Sequence, residues 1–233
     1  MGSLYIVATP IGNLQDITLR ALETLKIVDF IACEDTRKAV ILINHYFPND
    51  QKEMQGKLFS YYEQVELTKI PQIMNLLANG KSVALISDAG TPSISDPGFK
   101  LIRECVRSNI PVISIPGASS VVSALVASGL PTDKFTFLGF LPQKPGHRIK
   151  LLENVKTSQQ SLSSTVIFFE SPYKLIKTLQ DLKKVFGNIE ITLVREQTKV
   201  HEEIIASTID ELSERFAIGI KGEFVVLFSL KTT

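Results

Sequence analysis

The sequence carries only two cysteines and three histidines in 233 residues, and neither set is spaced for redox or metal work. Cys33 and Cys105 lack the paired spacing of a disulfide framework or a zinc ribbon. His45, His147 and His201 are scattered, with no HExxH, so no metal site is expected. An excess of one charge is missing too. The 25 Lys and Arg against 24 Asp and Glu leave no net field to attract a polyanion or an anionic membrane, so any nucleic-acid contact must come from a local patch. No apolar run approaches the ~20 residues that cross a bilayer. The opening Met-Gly-Ser-Leu-Tyr-Ile also lacks the basic region and long apolar stretch of a secretory signal. A reducing, cytoplasmic setting without a membrane partner is expected. The chain further lacks a GxxxxGK[ST] loop, a G-x-G-x-x-G after its first strand and a GxSxG elbow, which removes most support for a P-loop nucleotidase, a dinucleotide enzyme or a serine hydrolase.

What is present is an apolar fraction of 44%, enough for a substantial core, arranged as alternating strand and helix patterns. Strand character at Leu4 to Ala8, Ile27 to Cys33, Lys57 to Tyr62, Ser82 to Ile86 and Ile110 to Ile115 alternates with helical spacing at Ile17 to Leu25, Arg37 to Tyr46, Val65 to Ala78 and from Phe99 onward. That alternation predicts right-handed crossovers and a mainly parallel sheet. Pro48 to Gly56 reads as loop. After Pro116 the pattern changes: a helix at Ser119 to Ser128 precedes strand candidates at Phe135 to Phe140, Thr165 to Phe169, Ile189 to Val194, Ile204 to Ala206 and Glu223 to Leu230. Two of these are close enough for a hairpin, helices are expected at Tyr173 to Phe186 and Ile209 to Phe216, and Ser158 to Ser164 reads as a mobile surface loop. The fold class is therefore α/β, with a mainly parallel N-terminal domain, residues 1–115, and a mixed-sheet C-terminal domain, residues 116–233.

Two loops follow β-branched runs and precede helices, the position where an α/β fold gathers ligands. In Ser87 to Gly98, glycines permit close backbone approach, and Asp88 or Asp96 can accept hydrogen bonds from a polar, cationic small molecule; Asp96 before Pro97 fits a helix cap equally well. Pro116-Gly117-Ala118-Ser119-Ser120 offers free amides at a helix start, which a plain capping turn would also provide. Glu34, Asp35 and Arg37 gather at the end of an apolar strand, either lining the same edge or as a cap with solvated neighbours. Glu170 and Arg195-Glu196 repeat an acidic residue just past a strand, which points to a polar cleft. Lys144, His147, Arg148, Lys150 and Lys156 form the best local candidate for phosphate contact, with a solvated helix face as the plainer account.

Tyr5 to Leu14 with Asp16-Ile17-Thr18, Cys33-Glu34-Asp35-Thr36-Arg37, Ser87 to Pro92 with Ser95 to Gly98, Pro116 to Ser119, Gly139-Phe140-Leu141-Pro142, Phe169-Glu170-Ser171-Pro172 and Arg195 to Lys199 stand in an order that resembles the bacterial ribosomal RNA small-subunit methyltransferase I family, a branch of the tetrapyrrole methylase superfamily. The resemblance covers essentially the whole chain. It implies a two-domain tetrapyrrole methylase-like fold and a homodimer that moves a methyl group from S-adenosylmethionine to the ribose 2′-hydroxyl of a cytidine in the decoding region of 16S rRNA, within the small subunit. By motif it implies donor contacts from Pro10, Asp88, Ala89, Gly90, Ile94, Ser119, Ser120 and Phe169, with the donor in the cleft between domains. Glu34, Asp35, Asp88 and Glu170 are the candidate bases, Arg37 and Arg195 would position a phosphate, and Lys144, Arg148, Lys150 and Lys174 would meet RNA. Two departures stand out: Tyr173-Lys174 replaces the usual His-Arg, and the chain ends at Thr233 without the extension many relatives carry. A tetrapyrrole such as a uroporphyrinogen as substrate, or a non-catalytic donor-binding protein, are the alternatives.

Overall fold

A computed structural model describes residues 1–219 and 221–230. The terminus at Thr233 lies outside the described residues. The chain divides into two compact units, Met1–Ser119 and a second that begins at Ser120.

The first unit contains β1 (Leu4–Val7), α1 (Leu19–Ile27), β2 (Phe30–Cys33), α2 (Thr36–Tyr46), α3 (Gln51–Gly56), β3 (Leu58–Ser60), α4 (Glu66–Ala78), β4 (Val83–Ile86), α5 (Phe99–Arg107) and β5 (Val112–Ile115). Its five strands run in the order β3-β2-β4-β1-β5, every pair parallel. The strands are continuous apolar runs because both faces are covered. In β4, Val83 and Leu85 enter one core cluster with Ile73, Leu77 and Leu101, while Ala84 and Ile86 enter another with Leu25, Ala39 and Ile43. Period-two alternation thus feeds two cores, and all loops leaving the carboxyl ends open on one edge.

The second unit contains α6 (Ser120–Ala127), β6 (Phe135–Phe140), α7 (Pro145–Leu162), β7 (Thr165–Glu170), α8 (Leu175–Phe186), β8 (Glu190–Arg195), β9 (Glu203–Thr208), α9 (Ile209–Arg215) and β10 (Phe224–Phe228). Its sheet order is β6-β7-β10-β8-β9, with β6 and β7 parallel and the remaining pairs antiparallel. β10 is central and buried on both sides: Phe224, Val226 and Phe228 face the cluster with Leu152 and Leu179, and Val225 and Leu227 face that of α6. The α/β class, with a parallel and a mixed sheet, is as the sequence pattern predicts.

Two local expectations fail. The stretch 48–56 is not all loop, because α3 forms where Met54 alone is buried at 1% exposure, too sparse a signal for periodicity. Ser158 to Ser164 is chiefly the last turn of α7 and its left-handed cap at Ser163. The buried Gln159 closes that end, its Oε1 accepting the Ser164 N–H at 2.7 Å and its Nε2 donating to Ser164 Oγ at 2.9 Å. Among the described residues no helix is long and apolar enough to cross a membrane.

Candidate active site

Four loops of the first unit are tied together at the carboxyl edge of its sheet. Beyond β1, Thr9 forms an antiparallel bridge with Gly90, N–H to O at 2.9 and 3.0 Å in the two directions, and its hydroxyl donates to Ser87 O at 3.2 Å. Thr91 Oγ1 donates to Ala118 O at 3.1 Å, which joins the loops after β4 and β5. Gly117 rests on Ala8 so closely that a Cβ there would sit 2.9 Å from the Ala8 Cβ. The loop after β4 is also held in costly conformations, with Ser93 at φ 69° and Ser95 at φ 64°. Left-handed non-glycine residues cost on the order of 1–3 kcal/mol each, and such strain gathers where a ligand is gripped.

The fourth loop, after β2, brings charge. Asp88 accepts the Asp35 N–H at 3.1 Å and the Lys38 ammonium at 2.7 Å. Asp35 caps α2 by accepting the Arg37 N–H at 2.9 Å, and the Arg37 guanidinium grips the same carboxylate at 2.7 Å. That side-chain contact, with the backbone bond, holds Asp35 down at about 2. Glu34 moves the other way: burial first, then the charges of Asp88 and Asp96, raise it above its ordinary value. Asp96 is raised as well, by burial and then by Asp88. Burial, with Asp88 and Asp35 behind it, pushes the Cys33 thiol up to about 12, so it is no thiolate nucleophile at neutral pH.

Of the expected donor contacts, Pro10, Asp88, Ala89, Gly90, Ile94 and Ser119 therefore belong to one unit, together with Glu34, Asp35 and Arg37. Pro10 and Gly90 are buried, whereas Ala89 and Ile94 are exposed. Asp96 does not cap α5: Gly98 is the residue before that helix, and no side-chain cap bonds its first turn.

The other expected residues lie in the second unit. Ser120 opens α6, and half-buried Phe169 packs edge-on to Phe137 with ring centres 4.9 Å apart. Glu170 is buried at the end of β7, where its two oxygens accept the Ser171 N–H at 2.7 Å and the Thr178 hydroxyl at 2.5 Å. Arg195 Nε donates to Lys221 O at 2.8 Å, and its Nη1 lies 3.6 Å from Glu203. Lys174 precedes α8 and is half-buried, while Lys144 and Lys150 are exposed. Arg148 is the correction: it is only 4% exposed, and its guanidinium is spent on Asp181 at 2.6 and 2.7 Å and on the Pro142 and Gln143 carbonyls at 3.2 Å. A buried, saturated guanidinium cannot meet a phosphate. Lys156 likewise donates to Val185 O at 2.7 Å.

Two residues that sequence pattern does not single out complete the edge. Lys38 neutralises Asp88, and its signal is its place one residue beyond the Cys33 to Arg37 motif. Glu66, 4% exposed, accepts from Tyr61 Oη at 2.8 Å and from the Gly98 N–H at 3.1 Å, and pairs with Lys100 at 2.9 Å. It thereby fixes the exit of the loop after β4, although nothing in its local sequence announces this.

Known proteins share both the sequence and the fold. Residues 3–213 match the profile of the tetrapyrrole (corrin/porphyrin) methylases. The chain is 50% identical over 232 residues to the ribosomal RNA small subunit methyltransferase I of Mycoplasmopsis pulmonis, covering 99% of each, and 46% identical over 233 residues to that of a Hydrogenobaculum species, covering 99% of this chain and 96% of the relative. Among solved structures, the uroporphyrin-III C-methyl transferase of Thermus thermophilus complexed with S-adenyl homocysteine superposes with a TM-score of 0.62 over 97% of both chains. At 16% identity, that likeness shows a shared fold.

Proposed function

The chain belongs to the tetrapyrrole (corrin/porphyrin) methylase family, and we propose that it is an S-adenosylmethionine-dependent methyltransferase acting on small-subunit ribosomal RNA. The observation that carries the proposal is the full-length identity to relatives of that name, joined to the four interlocked loops at the carboxyl edge of the first sheet. The finer reading is 2′-O-methylation of a cytidine in the decoding region of 16S rRNA, by a cytoplasmic homodimer acting on the small subunit. It is supported by the resemblance that the segments Cys33 to Arg37 and Ser87 to Pro92 carry to the ribosomal RNA small-subunit methyltransferase I family.

The residues fit the methyl donor. Close approach at Gly117 and the left-handed Gly90 draw three backbones together beside small or apolar groups, Ala89, Ile94 and Ser119. Glu34, Asp88 and Asp96 supply the negative field that a sulfonium and an ammonium need, with Lys38 set against it. Pro10, Asp88, Ala89, Gly90, Ile94 and Ser119 would hold the donor from the first unit, and Ser120 and Phe169 from the second. S-adenosylmethionine, when bound, supplies an electrophilic methyl group on sulfur.

The protein's part is to hold the ribose oxygen in line, exclude water and take a proton. Glu34 suits the last task, because burial and the charges of Asp88 and Asp96 raise its carboxyl above the ordinary value and so make its carboxylate the stronger base; a general base is worth ~10²–10⁴-fold in rate. Asp35, held down by Arg37, is the weaker choice, and Glu170 already has both oxygens bonded. Arg37, its side chain 88% exposed, and the exposed Lys144 and Lys150 would contact phosphates, with Arg195 and Lys174 supporting from half-buried positions.

The test incubates the protein with methyl-labelled donor and, separately, unmethylated small subunits, free 16S rRNA and uroporphyrinogen. Label in a cytidine ribose is the expected result. Label in the tetrapyrrole, or in neither RNA, overturns the reading. Sedimentation velocity checks the dimer.

A further inference from the structure

The connection between β8 and β9 is built at a cost that its hairpin does not require. Glu196 at φ 49° and Thr198 at φ 63° are both left-handed non-glycine residues, and they flank Gln197 on either side. The turn is then locked. Glu196 donates its N–H to Glu223 O at 3.1 Å, accepts the Glu223 N–H on its carboxylate at 3.0 Å, and accepts Lys199 at 3.2 Å. Lys199 reaches on to Glu223 at 2.9 Å. Gly222 leaves room for that carboxylate, since a Cβ there would meet Glu196 Cγ at 2.8 Å. Two strained residues persist only where surrounding contacts over-determine them, and here those contacts aim one side chain.

That side chain is the Gln197 amide, which reaches α6. With the amide in the orientation that satisfies both of its ends, its nitrogen donates to Ser120 O at 3.1 Å and its oxygen accepts the Ala124 N–H at 2.9 Å. These are the two backbone groups, four residues apart, that an α-helix pairs with each other. The amide therefore bridges the first turn of α6 in a way that only a group with both a donor and an acceptor can. A carboxylate lacks the donor, and a thioether lacks the donor and accepts only weakly. Ser120 is the residue whose carbonyl is gripped, and Ser120 is among those proposed above to hold the methyl donor.

We infer that Gln197 is a positioning residue for the methyl donor, acting through the first turn of α6, and that the strained turn between β8 and β9 exists to place it. This rests on the donor assignment made above. It makes donor affinity depend on a residue that never touches the donor. RNA affinity, carried by exposed cations elsewhere, is left unmoved.

The test compares the full-length protein with Gln197→Met, of similar length without either hydrogen bond, and Gln197→Glu, which keeps only the acceptor. Donor binding by titration calorimetry should weaken about tenfold in Gln197→Met, as the loss of one to two neutral hydrogen bonds predicts. RNA affinity and the far-ultraviolet spectrum should stay as in the parent. Hydrogen exchange of the Ala124 amide, read without any ligand, should speed up in the same variant. In Gln197→Glu, donor affinity should recover relative to the parent at the same pH as pH falls and the protonated carboxyl regains a hydrogen to give to Ser120 O, a comparison that cancels the discharge of Glu34, Asp88 and Asp96 common to both proteins. Parental donor affinity in a folded Gln197→Met, or equal losses of donor and RNA affinity, overturns the inference. If Gln197→Met does not fold, the pH recovery in Gln197→Glu decides, and its absence overturns the inference. A parent protein that binds no donor overturns the underlying assignment instead, while the exchange of Ala124 still reports whether Gln197 holds the turn.

Discussion

Replacing Arg148 with alanine should destabilise the second unit rather than weaken RNA binding. The Arg148 side chain is 5% exposed and that of Asp181 17%, with Nη2 to Oδ2 at 2.6 Å. Removing the guanidinium leaves the Asp181 carboxylate largely enclosed without its cation, and frees the Pro142 and Gln143 carbonyls that it also satisfies. Truncating one partner of a buried pair costs about 3–5 kcal/mol. The two carbonyls add little, because Gln143 is exposed and Pro142 half-buried, so water can replace the lost donor. With a midpoint shift of roughly 2–4 °C per kcal/mol for a chain of this length, the transition should fall by about 6–20 °C. Differential scanning calorimetry measures that shift, and filter binding of small-subunit RNA well below the transition measures the rest. RNA affinity should be near that of the parent. The paired replacement Arg148→Met with Asp181→Leu should recover much of the loss, since apolar groups of similar volume often match or exceed a buried ion pair. An Arg148→Ala protein that melts with the parent yet fails to bind RNA would refute the reasoning and return Arg148 to the RNA surface.

Lys144→Ala with Lys150→Ala should leave the melting transition in place, weaken RNA binding and reduce the salt slope by about 0.7 for each single-strand phosphate that is no longer neutralised; an unchanged slope removes both lysines from the interface. Asp88→Ala should lower donor affinity by at least about tenfold, because it discharges the loop edge and releases Lys38 and the Asp35 amide; calorimetry showing parental affinity would remove Asp88 from the donor site. Gly98→Ala should cost about 1–3 kcal/mol, since a Cβ at φ 137° would meet Leu85 Cδ2 at 2.7 Å, and an unshifted denaturation midpoint would contradict that packing. Asp29 is held at about 2, below its ordinary 3.8, chiefly by the Ser82 N–H and hydroxyl and by Lys81. A depressed carboxylate stabilises the fold above its unfolded value and loses that contribution as pH falls towards about 2, so Asp29→Asn should be less stable than the parent at neutral pH and converge with it in acid. Glu34 as base predicts a rate that rises with pH through its raised carboxyl value, and Glu34→Gln should abolish that limb in rates measured at saturating donor.

The legible parts of the molecule are those where one physical cause dominates a short stretch. Val83 to Ile86 reads as a strand buried on both faces, and Pro116-Gly117 as a turn at the end of β5, because burial and backbone freedom act locally. The basic run misleads at Arg148 when it is weighed by charge alone. Spacing tells otherwise: Arg148, Leu152, Val155 and Gln159 recur at helical intervals and form the buried stripe of α7, so the arginine stands in an otherwise uncharged row. Lys144 precedes the helix and Lys150 lies off that stripe, and both are exposed. The same stripe shows why Ser158 to Ser164 is not a free loop, since Gln159 ends the row by bonding Ser164. Pairings made across long separations leave no such trace. Lys38 meets Asp88 across 50 residues and Glu66 meets the Gly98 amide across 32, and neither pairing alters the local pattern around its members.

The adjacent carboxylates Glu34 and Asp35 show how the fold divides labour that the sequence leaves undivided. Both follow the same strand, yet the backbone turns between them. Asp35 is committed to the first turn of α2 and to Arg37, which together fix its charge. Glu34 stays half-buried, where burial and the charges of Asp88 and Asp96 outweigh the Asp88 N–H and Lys38 and ionisation is resisted. Pairs of titratable groups driven apart by their surroundings mark the acid and base roles of a site. Here one member keeps a permanent charge that anchors a loop, and the other, its carboxyl raised above the ordinary value, is the one suited to the base role proposed above. Arg37 makes the division possible. By saturating Asp35 it leaves Glu34 as the carboxylate of the Cys33 to Arg37 segment whose proton can still move.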